Sequence, residues 1–160
     1  MSSSKKILYG LSAAALVAIA PPGFGQQRPD YGTPVTIEQA KKIAAGVIAE
    51  CTSNKWNVAV SIVDTHGGLV YYERMENTQT ASFGIAIDKA RTAATYRRAT
   101  RVFANVIAKS GPAVMTLPGV VASPGGLPIM VDGKVIGGVG VSGVTGDQDE
   151  QCAKAGLAAM

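Results

Sequence analysis

The chain has 160 residues, 47% of them apolar and 16% charged, with 15 lysines and arginines against 11 aspartates and glutamates, for a formal charge of +4. That length suits one domain with a normal core. The balance is only mildly basic and contains no Lys/Arg run of five or more, so the sequence predicts no nucleic-acid partner.

Lys5 and Lys6 open the chain, and Ile7 to Ala20 follow without a charge. This run of 14 residues falls short of the ~20 needed to span a bilayer but suits the core of a signal peptide. Pro21, Pro22 and Gly23 break it, and Gly23 and Gly25 place small residues before a cut at Gln26. Residues 1–25 are therefore expected to be a signal peptide, with a periplasmic or secreted product; the alternative is an N-terminal anchor. Removing them leaves 160 − 25 = 135 residues and a charge of +4 − 2 = +2. No second apolar stretch is long enough to cross a membrane.

Cys51 and Cys152 are the two cysteines. An even count in an exported chain predicts a disulfide; two free buried thiols are the alternative. No CxxC spacing occurs, which argues against thioredoxin-type chemistry and structural zinc.

Residues 26–35, with Pro29, Gly32 and Pro34, read as a mobile lead-in to a domain over 36–160. Thr36 with Gln39 forms a capping box, and Ile37, Ala40, Ala44, Val47, Ile48 and Cys51 recur at helical spacing, predicting a helix over 36–52. Trp56 to Asp64 alternates with both sides largely apolar, as in a central strand. Asp64-Thr65-His66-Gly67-Gly68 signals a turn, and Leu69 to Arg74 the second strand of a hairpin. An Ala-rich helix is predicted over 80–98, and a shorter one capped by Thr100 runs to Lys109 before Gly111 and Pro112. Leu127–Val131, the turn Asp132-Gly133 and Val135–Val141 form a second hairpin, whose second strand carries Gly137, Gly138 and Gly140. Interior strand glycines imply close approach by backbone or ligand. Thr145 or Asp147 caps a last helix carrying Cys152. Hairpins with segregated helices make the fold class α+β with an antiparallel sheet. A Cys51–Cys152 bridge would set the first and last helices side by side, since disulfide geometry holds Cα atoms within about 7 Å.

On the second helix Ile85, Ala86, Lys89, Thr92, Ala93 and Tyr96 share one stripe. A lysine on an inward face needs a carboxylate, carbonyl oxygens or an anionic ligand. The stripe reads either as the wall of an anion pocket or as a snorkelling lysine beside a core tyrosine. Gly125-Gly126-Leu127-Pro128-Ile129 offers free backbone N–H groups to an anion, or is a plain turn. It is neither a P-loop nor a Rossmann fingerprint. His66 is the sole histidine, which excludes two-histidine sites; it is an exposed turn residue or an axial haem ligand. Tyr96, Met75, Met115 and Lys89 are the other candidate iron ligands. Asp147, Asp149 and Glu150 fit a helix start, and Arg97, Arg98 and Arg101 a solvated face or a site for propionates.

Together these segments resemble the GlcG/HbpS family. Val63-Asp64, Gly67-Gly68-Leu69-Val70 and Arg74-Met75 resemble its first hairpin. Ala86-x-x-Lys89-Ala90-x-Thr92-Ala93 with Tyr96-x-Arg98-x-Thr100 resembles its central helix. Gly125-Gly126-x-Pro128-Ile129, Asp132-Gly133, Val135-Ile136-Gly137 and Gly140-Val141-Ser142-Gly143 resemble its second hairpin. Ala99 and Glu76-Asn77 depart from the family pattern of proline and Asp-Gly. The resemblance implies profilin-like α/β/α layers with the terminal helices on one face, homo-oligomers, and haem binding or degradation. It carries Lys89, Thr92, Arg98, Gly125, Gly126 and Pro128 across as ligand-binding positions, with Tyr96 beside them.

The leading expectation is a haem- or small-anion-binding protein with its pocket between the second helix and Gly125–Ile129, where Lys89 and Arg98 neutralise propionates. One alternative is an enzyme acting on a small carboxylate or oxidised metabolite through Lys89. The other is a non-catalytic oligomeric sensor or scaffold, marked by a closed pocket and a fully paired Lys89.

Overall fold

Over residues 28–160, which the computed structural model describes, the patterns resolve into four α-helices, four strands and one 3-10 turn. The leader expected over 1–25 lies outside the described residues. The order is α1 (Ile37–Ser53), β1 (Ala59–Val63), β2 (Leu69–Arg74), α2 (Ser82–Tyr96), α3 (Thr100–Ser110), a 3-10 helix (Pro112–Thr116), β3 (Gly126–Val131), β4 (Lys134–Ser142) and α4 (Gly146–Ala158).

α1 starts where its side chains supply the orphan bonds of a helix end. Gln39 N donates to Thr36 Oγ1 at 3.2 Å, and Thr36 N donates to Gln39 Oε1 at 2.9 Å. α4 starts the same way, with Thr145 and Gln148 in those roles, so Thr145 and not Asp147 is the cap. Thr100 does not cap α3: Ala99 precedes the helix, and Thr100 is its first, fully buried residue. The 3-10 turn was not foreseen in the sequence.

The sheet runs β2-β1-β4-β3, with every neighbour antiparallel. Each hairpin supplies one edge, and β1 pairs with β4 through Val60 opposite Val141. Val58, Val60, Ile62, Leu127, Ile129, Val139 and Val141 turn to one face and meet Ile43, Ala44 and Val47 of α1 and Ala153 of α4. Burial of this cluster supplies the main stabilising force, at about 25 cal/mol per Å² of apolar surface. The other face carries α2, with Val63 packed on Ala90 and Ala94. The molecule is thus α+β in three layers, α1 and α4 sharing one face, as the resemblance implied.

Two close approaches set the layer spacings. A Cβ on Gly138 or Gly140 would run into Ala90 O or Ala86 O of α2. A Cβ on Gly46 would stand 3.0 Å from Gly156 Cα, so α1 and α4 touch backbone to backbone. Cys51 and Cys152 form a disulfide across that contact, with Cα atoms 5.8 Å apart and both side chains fully buried.

The segment expected to be mobile is tied down from Arg28 onward. Gly32 N donates to Val135 O, Val135 N to Asp30 O and Val35 N to Ile136 O, each at 2.8 Å, and Tyr31 pairs in parallel with Val135. β1 ends at Val63 opposite Gly138, which frees the edge of β4 from Gly137 back for this strap over 28–35.

Candidate functional site

Lys89 is the largest wholly buried side chain, 2% exposed. Its Nζ donates to Asp149 Oδ2 at 2.7 Å and to Val141 O at 3.0 Å. Asp149, from the first turn of α4, also accepts from Val144 N at 3.2 Å. The ammonium on the inward stripe therefore finds both its carboxylate and its carbonyl within the protein. Burial pushes the Asp149 carboxyl above its ordinary value; Lys89 and the backbone N–H groups of Val144 and Gly143 pull it part of the way back. Asp149 had read as a helix-start acid, and only its position in space makes it the partner of Lys89.

Three other residues expected at the pocket also bond within the protein. Thr92 Oγ1 donates to Gly119 O at 2.8 Å and accepts from Val121 N at 3.0 Å. Tyr96 OH donates to Pro118 O at 2.8 Å, while its ring stands edge-on to Phe103. These two side chains tether the 118–121 segment to α2. Gly126 N, read as free for an anion, donates to Thr100 Oγ1 at 2.9 Å, and a Cβ there would meet Lys89 O. Gly125, at φ +119°, passes so close that a Cβ would lie 2.9 Å from Lys89 Nζ. Pro128 sits in the β3–β4 register opposite Gly138. Gly125 and Gly126 thus pack closely on Lys89, and Lys89, Thr92 and Gly126 each find a partner within the protein. Arg98 differs: it is half-buried, its guanidinium lies 5.7 Å from the Phe103 ring centroid, and no carboxylate pairs with it among the described residues.

A hollow lies instead beside the C-terminal end of α2, where Thr95 meets the strap and the β1–β2 turn. A cleft of about 460 Å³ is lined by Tyr31, Gly32, Pro34, Thr65, His66 and Thr95. The β1–β2 turn presents His66 to it. Asp64 Oδ1 accepts from His66 N at 2.8 Å and from Gly68 N at 2.9 Å, and Gly67 takes φ +86° to complete the turn. Arg91 Nε donates to Gly67 O at 3.0 Å and ties the turn to α2. The imidazole Nδ1 lies 3.1 Å from Thr65 Oγ1, and Nε2 has no partner among the described residues. Across the cleft, Tyr31 OH donates to Thr95 O at 2.9 Å, and the Arg97 guanidinium stacks 5.0 Å from the centre of the Tyr31 ring. Gly32 and Pro34 of the strap also border a second cleft of about 370 Å³, whose Thr36 and Gln39 are bonded to each other in the α1 cap.

Of the candidate iron ligands, the Lys89 amine and the Tyr96 phenol are already bonded within the protein. Met75 packs on the core, and Met115 lies exposed on the 3-10 helix. His66 is an exposed turn residue, as one of its two readings had it, and its Nε2 stays free on the cleft. Among the described residues no group of three or more His, Cys, Asp or Glu could hold a metal ion.

The chain is 38% identical over 107 residues to "Protein GlcG" of Escherichia coli K12, a match covering 64% of this chain and 80% of that protein. A structure of a Streptomyces reticuli HbpS double mutant superposes with a TM-score of 0.74 at 32% identity, covering 92% of this chain and 97% of that one. A PduOC–haem complex superposes with a TM-score of 0.74 at 27% identity, covering 80% and 96%. The family model described as "Haem degrading protein HbpS-like" matches residues 35–158, and the chain belongs to that family.

Proposed function

We propose that this protein is an exported haem-binding protein that seats haem in the cleft beside Tyr31, with His66 as an iron ligand. One observation carries the reading: in a chain of the HbpS-like family, the sole histidine stands on a 460 Å³ cleft with Nε2 free. The residues fit the group. An imidazole nitrogen is a good donor to haem iron. Thr65 Oγ1 on Nδ1 holds the ring orientation, as outer partners of ligating histidines do. Tyr31 and Pro34 offer flat apolar walls. Bound haem supplies one-electron and dioxygen chemistry at its iron.

The leader-like N-terminus and the disulfide support export, since such bonds persist in oxidising compartments. Exposed Val102, Met115 and Leu117 on α3 and the segment after it support self-association. The family's description extends to haem degradation; decay of the bound haem spectrum under reductant and oxygen tests it. The closed Lys89–Asp149 pair gives an enzyme built on Lys89 no open amine.

Haemin titration of the purified protein is the test. A Soret shift at micromolar haemin that is lost or blue-shifted in His66→Ala is expected. Absence of any shift at micromolar haemin removes the function, and a shift indifferent to His66→Ala removes the cleft.

A further inference from the structure

We infer that Arg91 is the positioning residue of the cleft: through one hydrogen bond to the β1–β2 turn it sets where the His66 imidazole stands. The role of that imidazole toward iron rests on the reading above. Its placement by Arg91 is a claim about the ligand-free protein and is tested there first.

The turn is stiff within itself. Asp64 N donates to Gly68 O at 2.8 Å and Gly67 N to Asp64 O at 3.2 Å, while Asp64 Oδ1 gathers the N–H groups of His66 and Gly68. The Thr65 hydroxyl beside Nδ1 holds the ring to the same unit. Residues 64–68 therefore shift as one body, and the imidazole goes with them. The strands beneath leave the direction of that body open. The β1–β2 register slips between Ile62 and Val63, just below the turn, and such an irregularity bends and twists a hairpin. Leu69, the first residue of β2, is half exposed and gives the turn little anchorage.

α2 supplies what the strands leave open. Among the described residues, the bond from Arg91 Nε to Gly67 O at 3.0 Å is the one hydrogen bond that joins residues 64–68 to another element. Gly67 is buried on the same side chain: a Cβ there would lie 3.3 Å from Arg91 Cγ and 3.7 Å from Thr95 Cγ2. Thr95 lines the cleft, and its Oγ1 donates to Arg91 O at 2.8 Å. One turn of α2 thus holds the seat of the histidine and a wall of the cleft in fixed relation. The charge of Arg91 is secondary. Its ion pair with Asp88 is 3.6 Å long between two half-exposed side chains, and such pairs contribute little.

Three variants separate the bond from the charge. Arg91→Leu removes the donor, Arg91→Gln keeps a nitrogen donor at the chain position of Nε without the charge, and Asp88→Asn breaks the ion pair alone. As the sole histidine, His66 gives a single set of imidazole resonances in the ligand-free protein. In Arg91→Leu that set is expected to move toward the position of free histidine, and amide exchange at Gly68 to rise about tenfold, as for the loss of one ordinary hydrogen bond. Arg91→Gln and Asp88→Asn are expected to match the unaltered protein in both. Unchanged resonances and exchange in Arg91→Leu overturn the inference, and a full loss in Arg91→Gln does so by giving the role to charge. A freely exchanging Arg91 Nε–H in the unaltered protein overturns it without any variant having to fold. With haemin, Arg91→Leu should weaken the His66-dependent Soret band about tenfold in affinity and Arg91→Gln restore it. A band indifferent to Arg91→Leu, with the turn loosened, overturns positioning toward iron. If haemin gives no band even with the unaltered protein, the haem reading fails and the ligand-free spectra alone decide the placement.

Discussion

Lys89 Nζ and Asp149 Oδ2 lie 2.7 Å apart across 60 positions of sequence, with both side chains within 3% of full burial. The pair joins α2 on one face of the sheet to the start of α4 at its end. Each charge is tolerable inside only because the other is present, and Val141 O and Val144 N bond what remains.

Lys89→Met should therefore cost about 3–5 kcal/mol, because it strands a buried carboxylate. The loss should depend on pH. Without the ammonium, burial holds the Asp149 carboxyl further above its ordinary value. The folded variant then binds a proton that the unfolded chain gives up. Its stability is greatest below the unfolded value near pH ~3.9 and falls as pH rises through the folded one. Urea unfolding at pH 4 and pH 7 should show a smaller deficit against the unaltered protein at pH 4.

The Cys51–Cys152 bridge closes a loop across 101 positions. The loop-entropy estimate for such a link is about 4–5 kcal/mol. Thermal scans of the unaltered protein and of Cys51→Ala/Cys152→Ala should differ by well over about 10 °C. An equal melting temperature for Cys51→Ala/Cys152→Ala would contradict this.

Gly140 lies under α2 where a Cβ would meet Ala86 O, whereas Gly84, within α2, has nothing within 4 Å of its own added Cβ. Gly140→Ala should cost at least about 1–3 kcal/mol by pushing α2 from the sheet. Gly84→Ala should add about 0.5–1 kcal/mol by removing unfolded-state freedom. Chemical denaturation of the two variants reads both signs in one experiment.

Much of the architecture was legible because its signals are local. The Thr36–Gln39 capping box, the alternation through Val58, Val60 and Ile62, and the Asp132-Gly133 turn each act within a few residues. The cysteine pair added the one long-range fact a sequence can carry plainly, and with it the juxtaposition of α1 and α4. The site was less legible. The helical stripe correctly marked Lys89 and Thr92 as inward, while Tyr96 at its end is only half-buried, and a stripe reports facing, not what lies opposite. Asp149 looked like any first-turn acid, and the strand glycines read equally as room for a ligand or for a helix.

By itself, then, the sequence determined the four helices and four strands, their order, most of the buried faces and the link between the terminal helices. All of these follow from periodicity, caps and covalent chemistry over short spans. Only the tertiary structure decided that Lys89 is answered from within, that α2 takes the space over Gly138 and Gly140, and that the open cleft belongs to His66 and the strap. Those outcomes depend on which distant backbone arrives at a given face and how closely it packs, and no local spacing encodes that distance.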